Sequence, residues 1–141
     1  MHITNNLAIL YPMFALAALT ATVLFLVPIT RVLAGQRGEL ILDDFKFGES
    51  PAVPAQVSIQ NRNYMNLLEF PMLAHIACLT AYVASDVTAV MVHTAWTFVA
   101  LRLVHSAIHL TYNRVVHRAL VFGASNFVLV ALWVQHGLQL R

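Results

Sequence analysis

Lipid offers backbone amides no partners, so a chain with several long apolar stretches has very few folds open to it. Four such stretches can be read here, at residues 7–33, 64–84, 87–110 and 119–134. A helix needs about 20 residues, range about 17–25, to cross the hydrocarbon core. The first stretch is long enough alone, and the second is almost free of charge. The third spans if Arg102 lies near its end, and the fourth if its helix extends a turn beyond the apolar core. The alternating ten-residue strands of a membrane barrel are absent. Only 10% of the residues are charged, where a soluble domain has about a quarter. The expectation is an all-α integral membrane protein, one multi-pass domain over residues 1–141. It is an up-down bundle of four helices with spans at about 7–33, 64–84, 87–110 and 117–137.

Charge placement suggests an orientation. Arg31, Arg37, Lys46 and Arg62 flank the loop at 34–61, and Arg114 and Arg118 flank the last turn. The turn between the second and third spans carries Asp86 and no lysine or arginine, and the N-terminus has no basic side chain. The positive-inside rule puts both basic loops in the cytoplasm and both termini outside, with Arg141 as the counter-signal. The net charge of +2 comes from few residues and does not suggest nucleic-acid binding. The first apolar run lacks a basic leader and is too long for a signal core, so it reads as a retained span. Cys78 is the only cysteine, which rules out an intrachain disulfide and reads as an inert packing thiol.

The long loop, with its glycines, prolines and mixed charges, reads as irregular. Within it ELILDDFKF suits a short strand or a segment lying along the membrane surface. The minimal ASDVT turn makes the second and third spans antiparallel neighbours. Pro12, Pro28 and Pro71 fall within spans, where each removes a helical hydrogen bond and invites a kink.

Two segments carry chemistry. In NRNYMNLLEFPML, residues 61–73, Arg62, Asn66 and Glu69 stand at i, i+4 and i+7, on one helical face. Glu69 has entered an apolar stretch, where a lone carboxylate is costly, so it should face a bundle interior or a polar cavity. A structural ion pair with Arg62 or a neighbouring helix is the plain alternative to a ligand pocket. In RLVHSAIHLTYNRVVHR, residues 102–118, Arg102, His105, His109 and Tyr112 are spaced as one stripe. Arg102 is expected to pair with Glu69 or another internal acceptor. Arg114 and Arg118, four apart, read either as a topology signal or as part of the same polar wall.

RNYMNLLEFP resembles the Arg-x-x-x-Asn-x-x-Glu signature of the MAPEG family, membrane-associated proteins of eicosanoid and glutathione metabolism. RLVHSAIHLTYNRVVHR is similar to that family's third-to-fourth helix segment. The resemblance, to bacterial-type members, covers nearly the whole chain. It implies a homotrimer of four-helix protomers in the bacterial inner membrane, in contact with membrane lipids. Glutathione, as co-substrate, would lie between subunits near the cytoplasmic face. By position, Arg62, Asn66 and Glu69 would belong to the glutathione pocket, with Arg37 as a looser match. His105 and His109 fall where relatives place polar or tyrosine side chains, with Tyr112 a turn further on and Arg114 nearby. Arg118 matches the arginine thought to stabilise the glutathione thiolate. His109 in place of tyrosine, and Pro71 one residue early, depart from the pattern.

The function implied is a glutathione-dependent transferase or peroxidase acting on an apolar electrophile or lipid hydroperoxide. Arginine forks suit the carboxylates of glutathione, Glu69 suits its ammonium, and Arg118 or a histidinium at His109 suits its thiolate. Two other classes compete. One is a non-catalytic lipid-binding protein on the same trimer. The other is a small b-type cytochrome using His75, His93, His105 or His109. A metal site is not expected, because His105 and His109 have no obvious third ligand.

Overall fold

The computed structural model describes residues 6–139. Arg141 and the extreme N-terminus, both of which bear on the orientation of the chain, lie outside that range. The described residues form helices α1 (Leu10–Gln36), α2 (Ala55–Leu68), α3 (Phe70–Ala84), α4 (Ala89–Leu110) and α5 (Val115–Gln139), with short 3-10 turns at Asn6–Ile9 and Leu42–Phe45. No strand occurs among them, so ELILDDFKF forms a 3-10 turn rather than a strand. Leu42 and Phe47 of that segment are almost fully exposed.

Three helical segments are long and apolar enough to cross a membrane: Asn6–Gln36, Ala55–Ala84 and Val115–Gln139. The chain is thus a membrane protein. The expected third span, α4, has the length at 22 residues but not the apolarity. Arg102, His105, Ser106 and His109 lower it, and all four are buried against neighbouring helices rather than turned to lipid. Polar groups in a membrane helix are tolerated on such an inward face.

The second span is longer than its apolar stretch suggests, because α2 starts at Ala55. The span runs 30 residues, roughly 45 Å at about 1.5 Å per residue, against a hydrocarbon core of about 30 Å. Its polar first half therefore has room to emerge at the interface, and the loop shrinks to residues 37–54. The span is also broken. Glu69 leaves the helical path at φ −80, ψ −101, and Pro71 sits in the first turn of α3. Proline has no N–H for the Leu67 carbonyl and its ring crowds that oxygen, which locates the break.

The apolar layers lie on one side of this break. Leu16, Ala74, Phe98, Val99 and Leu129 form one, and Ile9, Ala77, Ala81, Met91, Ala95 and Leu132 belong to a second. The alanines of α3 let the helix backbones approach closely, the usual way membrane helices gain packing energy. Cys78, with no disulfide partner, is buried in the second layer. Beyond the break a small third cluster of Ala34, Val53 and Val57 ties the loop to α1 and α2.

Candidate functional site

Between the middle apolar layer and the loop cluster the interior turns polar. Arg102 is fully buried, and its Nη2 donates to the Asn66 carbonyl at 3.0 Å. That carbonyl belongs to the last turn of α2, where backbone oxygens have lost their helical donors. The break in the second span and the arginine of α4 therefore answer each other. The guanidinium carbon also lies 5.6 Å from the centroid of Phe122. Ser106 Oγ donates to Asn63 Oδ1 at 3.3 Å. His105 and His109 meet edge-on at 5.7 Å between ring centroids. Nε and Nη1 of Arg102, and Nδ1 of both histidines, are buried without a hydrogen-bond partner among the described residues. Arg102 thus uses an internal acceptor, and that acceptor is a backbone oxygen rather than Glu69.

This polar layer opens into a cleft of about 520 Å³ at the junction of α2, α4 and α5. Arg62, Asn66 and Glu69 form one wall, and His109, Asn113 and Arg118 the other. Two guanidiniums stand against one carboxylate, so the lining is net cationic with the histidine neutral. Arg62 and Glu69 are exposed on the protomer surface while His109 is buried, so the cleft deepens from α2 toward α4.

The helix joint aims the inner arginine. α4 ends at Leu110, and Asn113 adopts φ 46 with its N–H donating to the Ile108 carbonyl at 2.8 Å. Asparagine tolerates this left-handed conformation better than most residues. Its side chain has a second role, because Asn113 Oδ1 accepts from Arg118 Nη1 at 2.7 Å. One face of the guanidinium fork is thereby fixed. Helical spacing does not single out Asn113, although an asparagine between two helices is a signal for a left-handed cap.

The remaining candidates sit elsewhere. Tyr112 lies past the end of α4, so the stripe expected to include it stops at His109. Its hydroxyl is 3.2 Å from His117 Nδ1, outside the cleft. Arg114 precedes α5 and is exposed. His105 packs on His109 and Phe122 behind the cleft wall. Arg37 forms a two-pronged ion pair with Glu39 at 2.6 and 3.0 Å, out in the loop. Hydrogen bonding from Arg37, with its charge adding a smaller part, holds the Glu39 carboxyl below its ordinary value.

His75, another of the four haem candidates, lines a groove beside α1, apart from the His105–His109 pair. Among the described residues no three His, Cys, Asp or Glu side chains gather as a metal site.

Compared with known proteins, residues 9–138 match the family model described as MAPEG family. No curated protein and no solved structure matches the chain.

Proposed function

Because the chain belongs to the MAPEG family, we propose that it holds glutathione as co-substrate in the cleft between α2, α4 and α5. There it acts as a glutathione-dependent transferase or peroxidase on apolar electrophiles or lipid hydroperoxides. Family membership supports a glutathione-related membrane function in general, and the particular activity is our reading of the site. The observation that carries it is the convergence of Arg62, Asn66, Glu69, His109 and Arg118 on one cleft of about 520 Å³. Small-molecule sites span about 300–1,000 Å³.

Each group has a partner in the tripeptide. Arg62 offers a planar fork to a carboxylate, and Glu69 offers a carboxylate to the ammonium. Asn66 supplies amide donors and acceptors. Arg118, steadied by Asn113, still has donors to spare for the sulfur. A thiol with an ordinary pKa of about 8.5 is mostly protonated at neutral pH, and a neighbouring cation favours the reactive thiolate. The thiolate sulfur then bonds to an electrophilic carbon as the leaving group departs with its electron pair. With a hydroperoxide, sulfur takes the outer oxygen and the alkoxide leaves to be protonated as the alcohol. A second glutathione thiol then yields the disulfide and water.

The exposed flank of the cleft along α2 suits completion by a second copy, consistent with the homotrimer usual in this family. An orientation with the cleft toward the cytoplasm follows from the basic loops around it. A binding-only, lipid-handling role is favoured by one feature, namely that the cleft lining contains no tyrosine.

Calorimetric titration of the detergent-solubilised protein with glutathione tests the proposal. We expect saturable binding, weakened roughly tenfold or more by Arg118→Ala or Glu69→Gln, since each removes a charged hydrogen-bond partner. An absence of binding at millimolar glutathione removes the proposal. Binding without turnover of electrophiles or hydroperoxides leaves the lipid-handling role.

A further inference from the structure

Reduction of a hydroperoxide by a thiol starts with a proton that must leave sulfur and ends on an alkoxide that must gain one. Of the ionisable groups in the cleft lining, the guanidiniums of Arg62 and Arg118 keep their protons. Glu69 stands on the wall facing Arg118, whereas His109 shares the wall of Arg118.

Asn113 fixes His109 and Arg118 relative to each other. Its N–H donates to the carbonyl of Ile108, the residue before His109, at 2.8 Å. Its Oδ1 accepts from Arg118 Nη1 at 2.7 Å. Among charged groups, Arg118 also acts most strongly on the His109 ring. A sulfur held by Arg118 on this wall is thereby brought to the imidazole.

The ring offers one working edge. His109 is buried and so is its Nδ1, so a ligand in the cleft meets it through Nε2. Nε2 accepts a proton when the ring hydrogen is on Nδ1. No carboxylate pairs with His109 among the described residues, and two guanidiniums line the cleft, so the imidazole is neutral while the cleft is empty. The carboxylates of glutathione offset the guanidinium charge, and a thiolate beside Nε2 stabilises the imidazolium formed with it.

We propose that His109 shuttles the thiol proton during turnover, an inference that rests on the glutathione reading of the cleft. Nε2 takes the proton from sulfur and leaves a thiolate–imidazolium pair next to Arg118. The sulfur then bonds to the outer oxygen of the hydroperoxide and the O–O bond breaks. The departing alkoxide takes the proton back from Nε2 as the alcohol, and His109 ends neutral. A halide leaving group needs no such proton, so hydroperoxides are the substrates that use both halves of the shuttle.

The test compares the full-length protein with His109→Phe, which keeps a ring but no nitrogen, on chlorodinitrobenzene and cumene hydroperoxide. At neutral pH the variant should be slower on both by about a hundredfold, the lower end of what positioned acid–base catalysis contributes. Above the free thiol value of about 8.5, solvent supplies the thiolate. The aryl chloride rate should then recover toward wild type while the hydroperoxide rate stays low. A variant as fast as wild type at neutral pH, or recovery of both rates together in alkali, overturns the proposal. A measurement on the wild type holds whether or not the variant folds. A pH indicator read alongside thiolate absorbance during glutathione binding should show thiolate forming with little proton released, because His109 keeps it. One proton released per thiolate overturns the shuttle. Binding without turnover of either probe overturns the shuttle alone, whereas an absence of glutathione binding removes the reading of the cleft and the shuttle with it.

Discussion

Asn113 carries two duties that different substitutions separate. Its left-handed backbone ends α4, and its side-chain oxygen holds Arg118. Glycine adopts that backbone freely but has no oxygen, whereas alanine pays for the conformation as well. Asn113→Gly should leave thermal stability nearly unchanged while weakening glutathione binding several-fold. Asn113→Ala should lower both, as read by a melting curve and a titration on the same sample. Equal binding by wild type and Asn113→Gly would mean that Arg118 needs no steadying. In the loop, Glu39 has a carboxyl depressed by Arg37 and so keeps the pair closed at neutral pH. Its contribution is present above the unfolded carboxyl value and is lost as pH falls through the lower folded one. Both side chains are largely exposed, so the effect on stability is slight. The pair does occupy Arg37, the loosest of the sequence candidates.

Among the elements, the broken second span decides the shape of the site. Pro71 stops α2, Glu69 takes the irregular position, and Arg102 from α4 fills the last turn of α2. Pro71→Ala restores an N–H for the Leu67 carbonyl and lets the helix run through. Its melting temperature should hold or rise, while glutathione affinity falls because Glu69 leaves its place on the cleft wall. Unchanged affinity would show that the break is incidental to the site. The i, i+4, i+7 spacing makes the wall of Arg62, Asn66 and Glu69 legible in the sequence, and Pro71 marks a kink. Spacing does not say that the kink falls on Glu69 itself. Nor does it say that Arg102 reaches a backbone oxygen, since such an acceptor has no residue signature. Tyr112 departs from its expected stripe for a local reason: a helical stripe counts only while the helix lasts, and α4 ends at Leu110.

At the scale of the whole molecule, hydropathy identifies the membrane class and sets α4 apart from the other spans, but it does not say where the polar residues of α4 point. Arg102, His105, Ser106 and His109 lower the hydropathy of α4 below that of the three other segments, and the fold turns all four inward. One protomer leaves Arg62 and Glu69 on an open flank, so a neighbouring copy is expected there. Native mass measurement in detergent should give three chains, and a monomeric preparation should bind glutathione more weakly than the assembly. Equal binding by the monomer would confine the site to one chain. The central claim is that this cleft holds glutathione with its sulfur beside Arg118, and ionisation of the bound thiol tests it most directly. Thiolate absorbance, followed against pH with glutathione bound, should report a thiol pKa below the free value of about 8.5, moving back toward it in Arg118→Ala. A bound thiol that ionises as it does in water, in wild type and variant alike, would contradict the account.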